Sequence, residues 1–256
     1  MAWARSSKCL SGAVTLQVVK RGLRPTLHGA NGYLGHANLR ASPSTKNHKN
    51  MANTISCPAC GAPHDVTNPG IVMSVCEYCG NAVVLDEGSA QDLGRQAILS
   101  EGFTRLYRGA VGTVFHKRFI AHGRARYSFG HGFWDEWFLE FDDGETAWMT
   151  EDNHELALQM AVENATPDFA SLVVGTRVDV ADRTFHILEK GEASCIGVEG
   201  DLPRVVGVEQ AFEYVDGSSA DGLYALGVEY GDSTTRVFTG RWLHHDALQL
   251  DAETQL

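Results

Sequence analysis

The 256-residue sequence contains no run of about 20 apolar residues, so no membrane-spanning helix is expected. It holds no His-Glu-x-x-His or His-x-His metal spacing and no Gly-x-Ser-x-Gly nucleophile elbow. Neither a Gly-x-x-x-x-Gly-Lys phosphate loop nor a strand-linked Gly-x-Gly-x-x-Gly fingerprint is present. These absences remove the commonest signatures of hydrolytic and nucleotide-dependent enzymes. No catalytic residue is assigned, and a non-enzyme is the expectation.

Acidic residues are missing from one region. The first 50 residues have no Asp or Glu but carry Arg5, Lys8, Lys20, Arg21, Arg24, Arg40, Lys46 and Lys49, whereas the whole chain has net charge −11. Such a basic leader fits an organellar presequence or a stretch translated ahead of a start at Met51. The second reading is adopted, and disorder is expected over 1–50 in either case. Gly12 to Val19 is too short for a secretory core, and no lipoprotein box precedes Cys9. The remaining body is strongly acidic, which argues against a nucleic-acid partner, because phosphate affinity comes from clustered Lys and Arg. A cationic ligand suits that field, either a polyamine or an Arg-rich protein segment. Solubility alone is the competing explanation.

What the sequence does hold is a paired-cysteine pattern. Cys57-Pro58-Ala59-Cys60-Gly61 and Cys76-Glu77-Tyr78-Cys79-Gly80 match the spacing of a closed tetrahedral zinc site. Four thiolates leave no open position, so one structural zinc ion and no metal chemistry are expected. Disulfides or a thioredoxin-like redox pair are alternatives, but nothing looks secreted, and two glycine-terminated pairs read as knuckles. Cys195 reads as a small buried strand residue.

Residues 51–86 are therefore expected to form a zinc ribbon and 87–109 a linker with a short helix over Ser89 to Ser100. The body, 110–245, is read as all-β, followed by a tail at 246–256. Short segments rich in β-branched and aromatic residues, such as Val111–Phe115, Arg118–Ala121 and Ala125–Phe129, are punctuated by glycine. Trp137–Phe141 runs into Asp142-Asp143-Gly144 and returns as Thr146–Met149, a hairpin signal. Further strands are expected near 172–180, 184–188, 194–198, 208–214, 223–230 and 236–238, while His154–Val162 is ambiguous between helix and strand. Glu140–Asp143 resembles Glu229–Asp232, and Gly112-Thr113 resembles Gly175-Thr176. Two similar lobes, 110–165 and 171–245, would explain this, as would convergence of hairpin sequences.

Trp134-Asp135-Glu136-Trp137, Phe141-Asp142-Asp143-Gly144, Trp148-Met149 and Glu199-Gly200-Asp201-Leu202-Pro203 together resemble the bacterial domain-of-unknown-function family 4178. Asp201 stands where the family leads us to expect Glu. The resemblance implies an N-terminal knuckle pair and a bacterial source, and it names a fold without an activity. It also implies a genomic setting near polyamine aminopropyl transfer and membrane-stress genes, which is association and not mechanism.

Trp134, Asp135, Glu136 and Trp137 form the candidate partner or ligand surface, since indoles and carboxylates together can hold an amine. A core and turn role is the alternative. Asp142 and Asp143 are placed at a hairpin tip, and Glu151, Asp152 and Glu155 could extend an acidic rim. His116, His122, His131, His154, His186, His244 and His245 fall in no chelating pattern. The function expected is a cytoplasmic, non-catalytic adaptor with an unidentified protein partner in a membrane-stress or polyamine-linked system. The alternative is a protein that binds a polyamine-like cation, or an enzyme using the 134–137 acids.

Overall fold

The computed structural model describes residues 53–252 apart from 67, 69, 87, 88, 101–103, 232, 233 and 245. The basic leader with Cys9, and His245, lie outside the described residues.

The cysteine region is built from β1 (Asn53–Ser56) and β2 (Pro63–Val66), which flank the first knuckle, and β3 (Met73–Val75) and β4 (Asn81–Asp86), which flank the second. The helix expected over Ser89–Ser100 is a correction: Ser89–Arg95 forms β5, paired antiparallel with β4. Gly94 is poor in a helix, and here it takes φ +87° at a register shift while Asp92 accepts from the Asn81 side chain and the Gly94 N–H. The open edge of β4 thus captures the segment as a strand.

The body begins with a meander of β6 (Val111–Val114), β7 (Lys117–Ser128), β8 (Phe133–Phe141), β9 (Thr146–Asp152) and β10 (Glu155–Ala161). The ambiguous His154–Val162 segment is therefore largely strand. One 3-10 turn, Phe169–Ser171, leads to a second meander of β11 (Arg177–Val180), β12 (Arg183–Leu202), β13 (Ala211–Ser219), β14 (Tyr224–Tyr230) and β15 (Thr235–Trp242). The expected tail contributes β16 (Leu248–Leu250), which pairs with β6. The fold is all-β, as the sequence indicates.

Both meanders have five strands, and both open on a hairpin whose two turn residues are left-handed, Phe115-His116 and Ala181-Asp182. Strand order makes β8 equivalent to β13. The offset relating Glu140 to Glu229 joins β8 to β14 and so does not match equivalent strands.

The meanders close on each other. β10 pairs with β15 and β7 with β12, both antiparallel, so the ring β7-β8-β9-β10-β15-β14-β13-β12 is a barrel without a free edge. Register shifts at Ile187/Glu189 and Cys195/Gly197 let the long β12 pass from β13 to β7 and finally to β3. Gly123 and Gly200 face each other at that seam, and a Cβ on Gly123 would lie 2.5 Å from the Asp201 carbonyl oxygen. This glycine, which reads in the sequence as a break, is what permits close strand approach within one continuous β7.

Most aliphatic packing lies outside the ring. Leu106, Ala110, Val114 and Leu248 cover the outer faces of β7–β10 through Trp137, Leu139, Met149, Leu156 and Leu158. Leu172, Val178 and Val180 cover β12–β15 through Phe185, Ile187, Val215 and Val228. Trp137 is fully buried there, with the Arg124 guanidinium 4.8 Å from its ring. Trp137→Ala is expected to cost about 3–5 kcal/mol of stability by denaturant unfolding, the usual range for deleting a core indole.

The ribbon caps one end of the barrel. β3 pairs with Asp201 and Leu202 of β12, Ser74 Oγ donates to Asp201 at 2.6 Å, and the Val206 N–H reaches Met73 Sδ at 3.4 Å. Ile71, Met73 and Ala82 join the same apolar cluster as Phe138, Trp148, Val198 and Leu202. Asn68 Nδ2 donates to Glu140 at 2.6 Å, and Glu77 pairs with Arg108.

Candidate functional site

The four thiol sulfurs lie within 4.8 Å of one another, with Cys57 and Cys79 at 3.8 Å and Cys60 and Cys76 at 3.7 Å. A tetrahedron with metal–sulfur bonds of about 2.3 Å has edges of about 3.8 Å, so the donor set fits a thiolate-bound metal ion. Gly61 and Gly80 take φ of +76° and +75°, and their N–H groups close onto the Cys57 and Cys76 carbonyls at 2.8 Å. Each knuckle thereby turns backbone N–H groups toward its sulfurs. Burial raises Cys76, but the Cys79 and Tyr78 N–H groups outweigh it and bring the thiol down to about 7. For Cys79 the Asn81 N–H lowers the value, yet burial and the three neighbouring sulfurs push it up to about 12. Four thiols so close cannot all ionise unless a cation compensates them.

The stretch Trp134–Trp137 does not form one surface, which corrects the sequence expectation. Strand alternation turns Trp134 and Glu136 into the barrel and Asp135 and Trp137 outward, and all four are buried. Asp135 is held by Arg126 through two contacts of 2.7 Å and by Arg124 at 3.2 Å. It is a structural anchor beneath the linker. Of the rim acids, Glu151 also faces outward and accepts from Thr104 Oγ1 and the Arg105 N–H, whereas Asp152 and Glu155 face inward. Asp143 sits at the hairpin tip with Lys117, as expected for local turn bonding. The histidines are dispersed: His122 pairs with Glu140, His244 with Asp246, and His116 and His154 occupy tight turns.

Inside the ring is a cavity of about 210 Å³. Its walls carry Phe129, Trp134, Trp148, Tyr214, Phe238 and Trp242. Six carboxylates also line it, Glu136, Asp152, Glu155, Glu189, Asp216 and Glu229, and no Lys or Arg does. Glu136 and Glu229 are buried at its floor. Glu155, Glu189 and Asp216 reach solvent through its mouth, beside half-buried Asp152. Tyr214 donates to Glu189 at 2.6 Å, and buried Asp152 Oδ1 has no hydrogen-bond partner among the described residues.

The electrostatics divide along the same axis. Asp216 is enclosed by the barrel wall but open to lumen water. Loss of bulk solvent, then Glu189, Asp152 and Glu229, push its carboxyl up to about 7. Burial, Glu189 and Glu155 raise Asp152 likewise. At the floor, Arg204 Nη1 bonds Glu229 at 2.7 Å and Nη2 bonds Glu136 at 3.0 Å. Burial and the charge of Glu229 nonetheless raise Glu136, outweighing Arg204. Burial of Glu229 is offset by Arg204 and Arg236, which hold it well below the usual carboxylate range.

Sequence reasoning missed Glu189, Asp216, Trp148 and Tyr214 as parts of one site. Their shared signal is polar or aromatic residues at alternate positions, Trp148-x-Thr150-x-Asp152 and Tyr214-x-Asp216, in strands whose other face carries aliphatic residues such as Met149 and Val215. A family model described as "Domain of unknown function (DUF4178)" matches residues 108–245. No curated protein and no solved structure matches the chain.

Proposed function

The chain belongs to the DUF4178 family of domains of unknown function, and from the geometry of its barrel we propose that it binds an organic cation of the polyamine class in the lumen. The observation that carries this reading is an aromatic-walled cavity with four mouth carboxylates and no lining base. Indole and phenol faces attract ammonium groups, and the acids supply charge in a partly desolvated setting. The spacing of the acids argues for an extended ligand. Among the described residues, only the cysteine quartet brings His, Cys, Asp or Glu ligand atoms close enough for one metal ion. Separated carboxylates match separated ammonium groups.

In this reading the ribbon holds one structural zinc ion, the metal that four thiolates in a closed tetrahedron commonly select. Reduced thiolate sites persist in the cytoplasm, which is the location proposed. An adaptor role would need a surface other than 134–137, because those residues are buried.

Cadaverine, whose two amines stay charged across the range, tests the reading by calorimetric titration at pH 6 and pH 8. A cation engages the ionised carboxylate, and Asp216 near 7 is mostly protonated at pH 6. Affinity is therefore expected to rise about tenfold by pH 8, with protons released on binding. Raised carboxylates stabilise the empty barrel below their ordinary values near 4 and lose that contribution as pH rises through 7, so the empty protein should melt lower at pH 8. Equal affinity at both pH values removes Asp216 from the site, and no binding at either rejects the lumen reading.

A further inference from the structure

Arg204 lies on the segment that follows β12 and contacts both floor acids, while Arg236 of β15 contacts Glu229. The Arg204 guanidinium contacts Glu229 at 2.7 and 3.3 Å, Glu136 at 3.0 Å and the Tyr127 hydroxyl at 3.0 Å. It also lies 5.1 Å from the centre of the Trp148 ring, an indole that lines the lumen. Carboxylates on the edge and an aromatic face beneath are the same chemistry that the mouth offers a ligand. On the far side is a second cavity of about 250 Å³, lined by Arg204, Glu229, Cys195, Phe212 and Arg236 among others. Glu229 lines both cavities, so the Arg204 side chain stands at the partition between them.

We infer that the lumen floor is a guanidinium subsite already filled by Arg204, and that this resident cation confines ligand cations to the mouth acids. The inference rests on reading the lumen as a cation site. Its physical basis is occupancy: the fork donates to both floor acids and Arg236 donates to Glu229 as well, leaving the floor oxygens engaged and closed to a second cation. Val206, two residues on, is tied through its N–H to Met73 of β3, so the ribbon holds the loop that carries this plug.

Removing the resident cation should create a binding site where the protein has none open. Arg204→Ala is expected to bind methylguanidinium about tenfold or more tightly than the parent protein, the factor worth one charged hydrogen bond. A folded Arg204→Ala with parental methylguanidinium affinity overturns the inference. Should the variant not fold alone, methylguanidinium must restore native tryptophan fluorescence, and tetramethylammonium, which has no N–H donors, must not. Restoration by neither ion, or equally by both, overturns it as well. The double variant Glu229→Gln, Arg204→Ala also removes the floor acid that makes two of the guanidinium contacts and is expected to lose the methylguanidinium response; a retained response places the ion elsewhere. The mouth substitutions Glu189→Gln and Asp216→Asn leave the rescue of Arg204→Ala unchanged. Failure of cadaverine binding and failure of the floor subsite are therefore read separately.

Discussion

Cys76→Ser is expected to lose the bound metal and unfold β1–β5, while the barrel persists with a lower melting temperature. Metal binding supplies on the order of 10–16 kcal/mol in small thiolate-rich folds, far more than a ribbon this size gains from packing. Its own apolar cluster is small, with Cys57, Cys76 and Val83 buried at its centre. Serine keeps the shape but removes the thiolate, and three remaining sulfurs no longer close a tetrahedron. The damage should spread to the barrel's capped end, because Ile71, Met73 and Ala82 pack against Leu202 and Val206. Hydrogen exchange at Val198–Val206 is expected to accelerate, whereas β9 and β10, which share no pairing with the ribbon, stay protected. Elemental analysis of the parent should return one zinc per chain and the variant almost none. Stoichiometric metal retained by Cys76→Ser would defeat the four-thiolate site.

The second large effect is at the lumen mouth. Glu189→Gln with Asp216→Asn preserves shape and removes two charges from the wall. A hydrogen bond to a charged group contributes about 1.5–3 kcal/mol, so the pair should weaken cadaverine binding by about 100-fold or more. Stability should move the other way at pH 8. Asp216 is held among Glu189, Asp152 and Glu229, and an uncharged amide relieves that repulsion. Glutamine at 189 still accepts from Tyr214 through its carbonyl oxygen. A rise in melting temperature with a loss of binding is the signature of residues kept for a ligand at a cost in stability. A fall in both would mark these acids as structural.

These sites differ in how far the sequence reveals them, and the difference follows the range of the interactions. The cysteine knuckles are set by residues within four positions, so Cys57, Cys60, Cys76 and Cys79 are legible from spacing. The Asp142–Gly144 tip and the all-β character of the body are local in the same way. Barrel closure is not local: β7 meets β12 across some 70 residues, through a glycine seam whose crowding only the assembled strands create. Nor does alternation say which face looks inward. In β9 and β10 the aliphatic face of Met149, Leu156 and Leu158 looks outward, because β6, β16 and the linker cover it. The polar face is therefore left to line the lumen, opposite to a single-layer reading. The same effect splits Trp134–Trp137, a contiguous motif in sequence, between the lumen and an outer core.

The lumen reading makes a direct claim about individual tryptophans, and indole N–H resonances during a cadaverine titration test it. Trp134, Trp148 and Trp242 line the cavity, whereas Trp137 is packed outside the ring and serves as an internal reference. Saturable shifts of the three lumen indoles with Trp137 unmoved are the predicted result. Unmoved lumen indoles at saturating diamine, or shifts confined to Trp137, would contradict a cation site inside the barrel.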